Sequence, residues 1–160
     1  MRKAALETLP LVRHYTQLHQ VKWFRPIRPI PIVLSRNLKV TLKPIGVANV
    51  DGKSLILAGQ VWKNLSLSPF EFRLWASMLK VGVLDNNPDL EGFHWLEMSA
   101  PKVGAERELS VRSIEAVDLL GDDEFRLVIN NIEQAMKIVA DVPKQKRDKR
   151  PDPKQGNFFE

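Results

Sequence analysis

The sequence predicts an α+β fold, in which a small, mostly antiparallel sheet packs on two main helices. Three local patterns predict it. Residues 68–71 have the form of a helix capping box with proline at the first helical position. Residues 38–42 alternate apolar and polar side chains, as a half-buried strand does. Asp51-Gly52, a dipeptide typical of two-residue hairpin turns, lies between two apolar runs. The expected strands are 38–43, 45–50 and 54–63, with 93–98 and 107–112 as further candidates, and the expected main helices are 69–80 and 123–140.

The first element in the chain is a predicted short helix. It is expected to begin near Thr8 with Pro10 in its first turn, where a missing backbone N–H costs no hydrogen bond. Leu11, Tyr15 and Leu18 then share one face. The helix must end before Arg25, because a residue that precedes proline is disfavoured in the α conformation.

Residues 23–37 follow as a proline-rich segment, WFRPIRPIPIVLSRN. Pro26, Pro29 and Pro31 each remove a backbone donor, which excludes a helix or a central strand and favours extended geometry. A free tether would be rich in glycine, serine or charge, whereas this segment carries large apolar side chains that favour burial. We therefore expect an arm that projects from the body and lies in a groove, either of its own body or of a neighbouring subunit.

The helix predicted at 69–80 has the clearest signals. Leu67 and Phe72 are placed to form a hydrophobic staple, and Gly82 is expected to end the helix in a left-handed conformation. Trp75 lies on the apolar stripe and is better explained as a core residue than as a ligand platform.

The helix predicted at 123–140 opens with acidic residues and ends before Pro143. The preceding residues 107–120 fit either a strand or a helical turn. One face of the helix is apolar throughout and consists of Phe125, Val128, Ile129, Ile132, Met136 and Val139. Three segments result: a basic helix and proline-rich arm (1–37), an α+β body (38–142) and a charged tail (143–160).

Charge divides the chain in the same way. Residues 1–50 contain nine Lys or Arg and one acid, Glu7, whereas residues 51–143 contain nine bases and fifteen acids. Residues 144–160 contain six bases and three acids. An acidic body between two basic ends indicates that the ends meet the anionic partner.

The motifs of common enzymes and metal sites are not found in the sequence. It has no cysteine. His14 and His19 are five positions apart, so on a helix they point about 140° away from each other, unlike a zinc-binding pair. His94 is expected to be a half-buried strand histidine. No serine lies in a nucleophile elbow, and the glycines do not form a phosphate loop. We therefore predict no enzyme, no metal and no cofactor.

The expected function is a non-catalytic structural or assembly subunit of a large multiprotein complex, with a phage tail or baseplate component of the virion as the specific candidate. Its partners would be other subunits or copies of itself. The alternative is an RNA-contacting protein of a ribosome-like particle, located on the ribosome or in an organelle matrix. No apolar run approaches the roughly 20 residues that span a bilayer. The predicted docking residues are Trp23, Phe24, Arg25, Ile27, Arg28, Ile30, Phe158 and Phe159.

Overall fold

The computed structural model describes residues 2–60, 67–100 and 105–141, with the side chains of residues 6–140 within these ranges. The fold is α+β, as predicted. Its helices are α1 (Arg2–Leu18), α2 (Pro69–Gly82) and α3 (Asp122–Asp141). Its strands are β1 (Trp23–Pro26), β2 (Ile30–Val33), β3 (Lys39–Leu42), β4 (Gly46–Val50), β5 (Lys53–Gln60), β6 (Gly92–Glu97) and β7 (Ser110–Ser113). Short 3-10 turns cover Leu84–Asn86 and Ile114–Ala116.

Five strands form the main sheet in the order β1-β4-β5-β6-β7, and β2 pairs with β3 in a separate two-stranded hairpin. All pairs are antiparallel except β5 with β6. That pair is parallel because α2 connects the two strands and returns the chain to the same end of the sheet. The expectation that 38–43 joins the main sheet is wrong, because its partner is the proline-rich segment.

The two faces of the main sheet bury different helices. On one face, Tyr15 of α1 packs with Ala48, Val50, Leu57 and other aliphatic residues of β4–β6. On the other, α2 packs through Phe72, Ala76 and Leu79 on a larger cluster that includes Ile56, Phe93 and Trp95. Side chains alternate between the faces along each strand, so Phe93 and Trp95 face α2 whereas His94 between them faces α1.

The capping box and the hairpin turn have the predicted geometry. The Ser68 hydroxyl accepts a hydrogen bond from the Glu71 backbone N–H, and the Glu71 carboxylate accepts one from the Ser68 N–H. The backbone bond to Ser68 and the hydroxyl contact lower the pKa of Glu71. Asp51 and Gly52 both have positive φ, 51° and 89°, as a two-residue hairpin turn between β4 and β5 requires.

Gly82 has a different role from the one predicted. It is the last residue of α2 and is not left-handed. A Cβ atom built at this position would lie 2.5 Å from Ile32 Cδ1 and Cγ2. The glycine therefore makes room for the β2–β3 hairpin to pack on α2, and Ile32 is buried in the core there.

The N-terminal helix and the arm pack on the body, so the expectation that they project from it is wrong. The helix begins at Arg2 and runs through Pro10, because the good helix formers before Pro10 extend it upstream. Tyr15 and Leu11 pack toward the sheet, but Leu18 is exposed. The prolines do keep β1 at the edge of the main sheet, where the missing N–H of Pro26 is tolerated.

Candidate functional site

A polar cluster lies between α1 and the sheet, formed by Tyr15, His19, Asp51 and His94. The Tyr15 hydroxyl is 2.8 Å from His94 Nδ1, although the two residues are 79 positions apart. His19 Nδ1 is 3.1 Å from Asp51 Oδ2, and the His19 and His94 rings have centroids 5.1 Å apart. The Asp51 backbone N–H also donates to the His19 carbonyl. These contacts tie α1 to both β6 and the β4–β5 turn.

A cavity of about 200 Å³ opens beside the cluster. Its polar lining comes from Asp51, Lys53, His94, Ser113 and Glu115. The Lys53 ammonium is 3.9 Å from Glu115. A hydrogen bond from Ser113 and the local backbone lower the pKa of the Glu115 carboxyl.

Burial shifts the pKa values of two side chains of the cluster, Tyr15 and His94. It raises the pKa of Tyr15 far above its ordinary range, and the charge of Asp51 adds to this rise. Burial also lowers the pKa of His94, reinforced by His19 and opposed by Glu115 and Asp51. In the tautomer of neutral His94 that carries its proton at Nε2, Nδ1 accepts a hydrogen bond from the Tyr15 hydroxyl, which keeps its own proton. The Tyr15–His94 pair is therefore a neutral hydrogen bond that holds two elements together.

The chemistry open to this cluster is limited. A phenol that keeps its proton is not a general base, and the described residues contain no group of three or more His, Asp or Glu arranged to hold a metal ion. The contact between Tyr15 and His94 was not predicted from the sequence, because local sequence patterns carry no information about residues 79 positions apart. The absence of an enzyme activity, a metal and a cofactor stays a prediction.

The protein should become less stable as the pH is lowered, because of His94. The unfolded chain binds a proton at His94 near the ordinary pKa of 6.5, whereas the folded chain resists it. The unfolded state therefore binds more protons below pH 6.5, and the free energy of unfolding decreases as pH falls from 6.5 toward the lower folded-state pKa. Urea titrations across this window should show a shallower decrease for His94→Gln than for the native chain.

His14→Gln is the matched control for the pH effect, because His14 is a histidine that is exposed on α1, whereas His94 is half-buried on β6. It should keep the native pH dependence. Equal slopes for His94→Gln and the native chain would show that the burial of His94 does not couple protonation to folding.

The predicted docking residues of the arm lie mostly at the surface. Trp23 and Phe24 on β1 are each nearly half exposed, and Arg25 and Arg28 are exposed. Ile27 is half-buried. Ile30 is half-buried and packs against the core of its own chain. Phe158 and Phe159 lie outside the described residues.

Trp23 and Phe24 lie on opposite faces of the sheet beside its open edge. The Phe24 ring contacts Gly46, where a built Cβ would be 2.5 Å from its Cε2 atom. Gly46, Ala48 and Val50 alternate with the residues that face α2, so Phe24 is on the α1 side. Trp23 pairs with Asn49 and is on the α2 side. Among the described residues, β1 has only β4 as a neighbour.

The bases of the first 43 residues differ from those of the body. Where the structure describes side chains, every Lys or Arg from 53 to 126 forms an ion pair with an acid. Seven exposed bases nearer the N-terminus form no ion pair with any residue whose side chain the structure describes: Arg13, Lys22, Arg25, Arg28, Arg36, Lys39 and Lys43. The predicted charge asymmetry is thus an asymmetry of unpaired positive charge at the surface.

The second uncovered apolar surface is on α3. Phe125 and Ile129 in its first half line a cavity together with Leu34 and Val81 of α2, and Ile129 is buried there. Residues 134–140 are all exposed. Met136 and Val139, which continue the predicted apolar stripe, are 53% and 71% exposed. The apolar stripe was predicted from the sequence, but the extension of its second half beyond the body was not.

Searches for related proteins returned no match among protein-family models, curated proteins or solved structures. No helix within the described ranges is both long enough and apolar enough to span a membrane. Functional inference therefore rests on the surfaces described above.

Proposed function

We propose that the protein is a non-catalytic assembly subunit of a large multiprotein complex. The observation that carries the proposal is the uncovered half of the α3 stripe. Met136 and Val139 follow four stripe positions that are buried or half-buried in the body, yet nothing in the described residues covers them. An amphipathic helix that extends beyond its own core has the geometry of a segment that completes its burial on a partner.

The charge of this helical segment favours a protein as the partner. Residues 133–141 contain two acids, Glu133 and Asp141, and one base, Lys137. A surface of this composition does not attract phosphate groups, whereas its apolar area suits a protein interface. A phage tail or baseplate is the specific assembly that we propose, and the exposed end of α3 and the open edge of β1 are the surfaces through which the protein would join it.

A second candidate function is supported by the unpaired bases between Arg13 and Lys43. Lysine and arginine without acidic partners are available to neutralise phosphates and release counterions, as in an RNA-contacting subunit of a ribosome-like particle. Aromatic rings beside them, those of Trp23 and Phe24, could stack on unpaired bases of the nucleic acid.

Light scattering with absorbance at 260 and 280 nm separates these candidates. The full chain is purified at low salt and measured before and after nuclease treatment. We expect an oligomer free of nucleic acid whose mass survives nuclease, which would support assembly through copies of the chain. A mass that collapses with nuclease would favour the RNA-contacting function.

A clean monomer in the same experiment would exclude self-assembly. The assembly proposal would then require a different protein as partner, and size-exclusion chromatography of extracts from the source organism would test it. Elution of the native chain only at its monomer position would overturn the proposal.

A further inference from the structure

We propose that the open edge of β1 accepts an extended acidic segment of a partner protein as a sixth strand of the main sheet. This inference deepens the assembly function proposed above, on which it rests, but it uses a different surface from α3. A strand with one neighbour leaves every second backbone N–H and C=O group available to an added strand. Trp23 and Phe24 supply apolar contact area on the two faces of that edge.

The charge of the edge selects the chemistry of the added strand. Lys22, Arg25 and Arg28 are exposed and form no ion pair among the described residues. No acid lies between Glu7 and Asp51. An incoming strand with carboxylates would therefore pair with bases that have no acidic partner among the described residues, and opposite charges across adjacent strands are stabilising.

The same charges exclude two other occupants. Antiparallel pairing of β1 with β1 of a second copy would place Lys22, Arg25 and Arg28 of both copies along one edge, where like charges repel. Residues 144–160 of the chain carry six bases and three acids, so their net charge has the same sign as the edge.

The opposite edge of the sheet lacks these features. On β7, the Arg112 guanidinium is 3.1 Å from Glu97 and 4.9 Å from the centre of the Phe72 ring. Its charge is thus already paired within the chain. Only the β1 edge combines exposed aromatic rings with unpaired bases in the described part of the sheet.

Binding of a designed peptide tests the proposal on the full chain. The probe is a fluorescent peptide of about ten residues that alternates valine with glutamate, long enough to cover a strand. Fluorescence anisotropy should show saturable binding, and hydrogen exchange should slow at residues 23–25. A second peptide with N-methyl groups on alternate residues keeps the charge and the side chains but cannot form the strand ladder, and it should bind at least about tenfold more weakly.

Matched variants separate edge pairing from general electrostatic attraction. Arg25→Glu should weaken peptide binding about tenfold or more, whereas Arg36→Glu, which changes an exposed unpaired base away from β1, should change it less than about threefold. Phe24→Ser should weaken binding, and Phe70→Ser should not. These two phenylalanines are 49% and 47% exposed, but Phe70 lies on α2.

Three results would overturn the proposal: no peptide binding, equal binding of the N-methylated peptide, or equal effects of Arg25→Glu and Arg36→Glu. If a single-stranded RNA oligonucleotide bound instead, with both arginine variants weakening it alike, the surface would be a nucleic-acid interface. Failure of the peptide with normal assembly would reject only the β1 proposal. Loss of assembly on changing α3 is measured separately and tests the assembly function itself.

Discussion

Replacing Met136 and Val139 together by glutamine is expected to release the protein from its complex without unfolding it. Burial of each side chain on a partner contributes about 1.5–3 kcal/mol, so their joint loss should weaken binding on the order of a hundredfold or more. Glutamine is a good helix former, so α3 should persist. Because both side chains are exposed in the free chain, the free energy of unfolding should change by less than about 0.5 kcal/mol.

The control is the double variant Leu127→Gln and Ile138→Gln. These residues are also on α3 and are 60% and 67% exposed. At about 100° per residue they lie about 100–180° around the helix from Met136 and Val139, outside the stripe. Tagged variants expressed in the source organism would be compared by size-exclusion chromatography of the extract. The control should elute with the complex, and the Met136 and Val139 variant should elute as the free chain. Retention of both variants in the complex would refute docking through the stripe.

Phe93→Ala is expected to be the most destabilising of the substitutions considered. Phe93 is fully buried on β6, and its ring centroid lies 5.2 Å from that of Trp75 and 6.3 Å from that of Phe72. Removing a buried phenylalanine ring loses its transfer free energy and leaves a cavity, which together cost about 3–5 kcal/mol. The edge-to-face ring contacts add to this loss.

Urea denaturation of the purified chain measures this effect. Phe70→Ala is the matched control, since Phe70 is nearly half exposed at the start of α2, and it should cost less than about 1 kcal/mol. A comparable loss for the two variants would mean that the aromatic cluster is not the centre of the core. The midpoint should be determined at a pH above 7, where His94 protonation does not contribute.

The elements with local signals were predictable because their causes lie within a few residues. The capping box at Ser68, the Asp51-Gly52 turn and the apolar stripe of α3 each depend on side chains separated by one to four positions or by whole helical turns. The proline-rich segment was correctly predicted to be extended. Its pairing partners were not predictable, since β1 joins β4 and β2 joins β3 across intervening loops.

The candidate docking residues were likewise predictable only in part from the sequence. Trp23 and Phe24 stood out in the sequence because large apolar side chains are unusual in a linker, and Arg25 and Arg28 because the first 50 residues are strongly basic. The structure places all four at the surface. Ile30, chosen as a large apolar side chain like Trp23 and Phe24, is half-buried against the core of its own chain. Its position within the fold therefore distinguishes it from the two exposed aromatic residues.

Local patterns in the chain were sufficient to predict the fold class, the positions of α2 and α3, the hairpin turn and the separation of basic ends from an acidic body. Three long-range features are visible only in the folded molecule: the arm pairs with its own body, Gly82 accommodates Ile32, and Tyr15 contacts His94. Capping, turn and periodicity signals act over a few residues, whereas strand partners and buried contacts depend on which surfaces meet when the whole chain packs. We propose that partners bind at the surface that the described residues leave uncovered on β1 and on the end of α3.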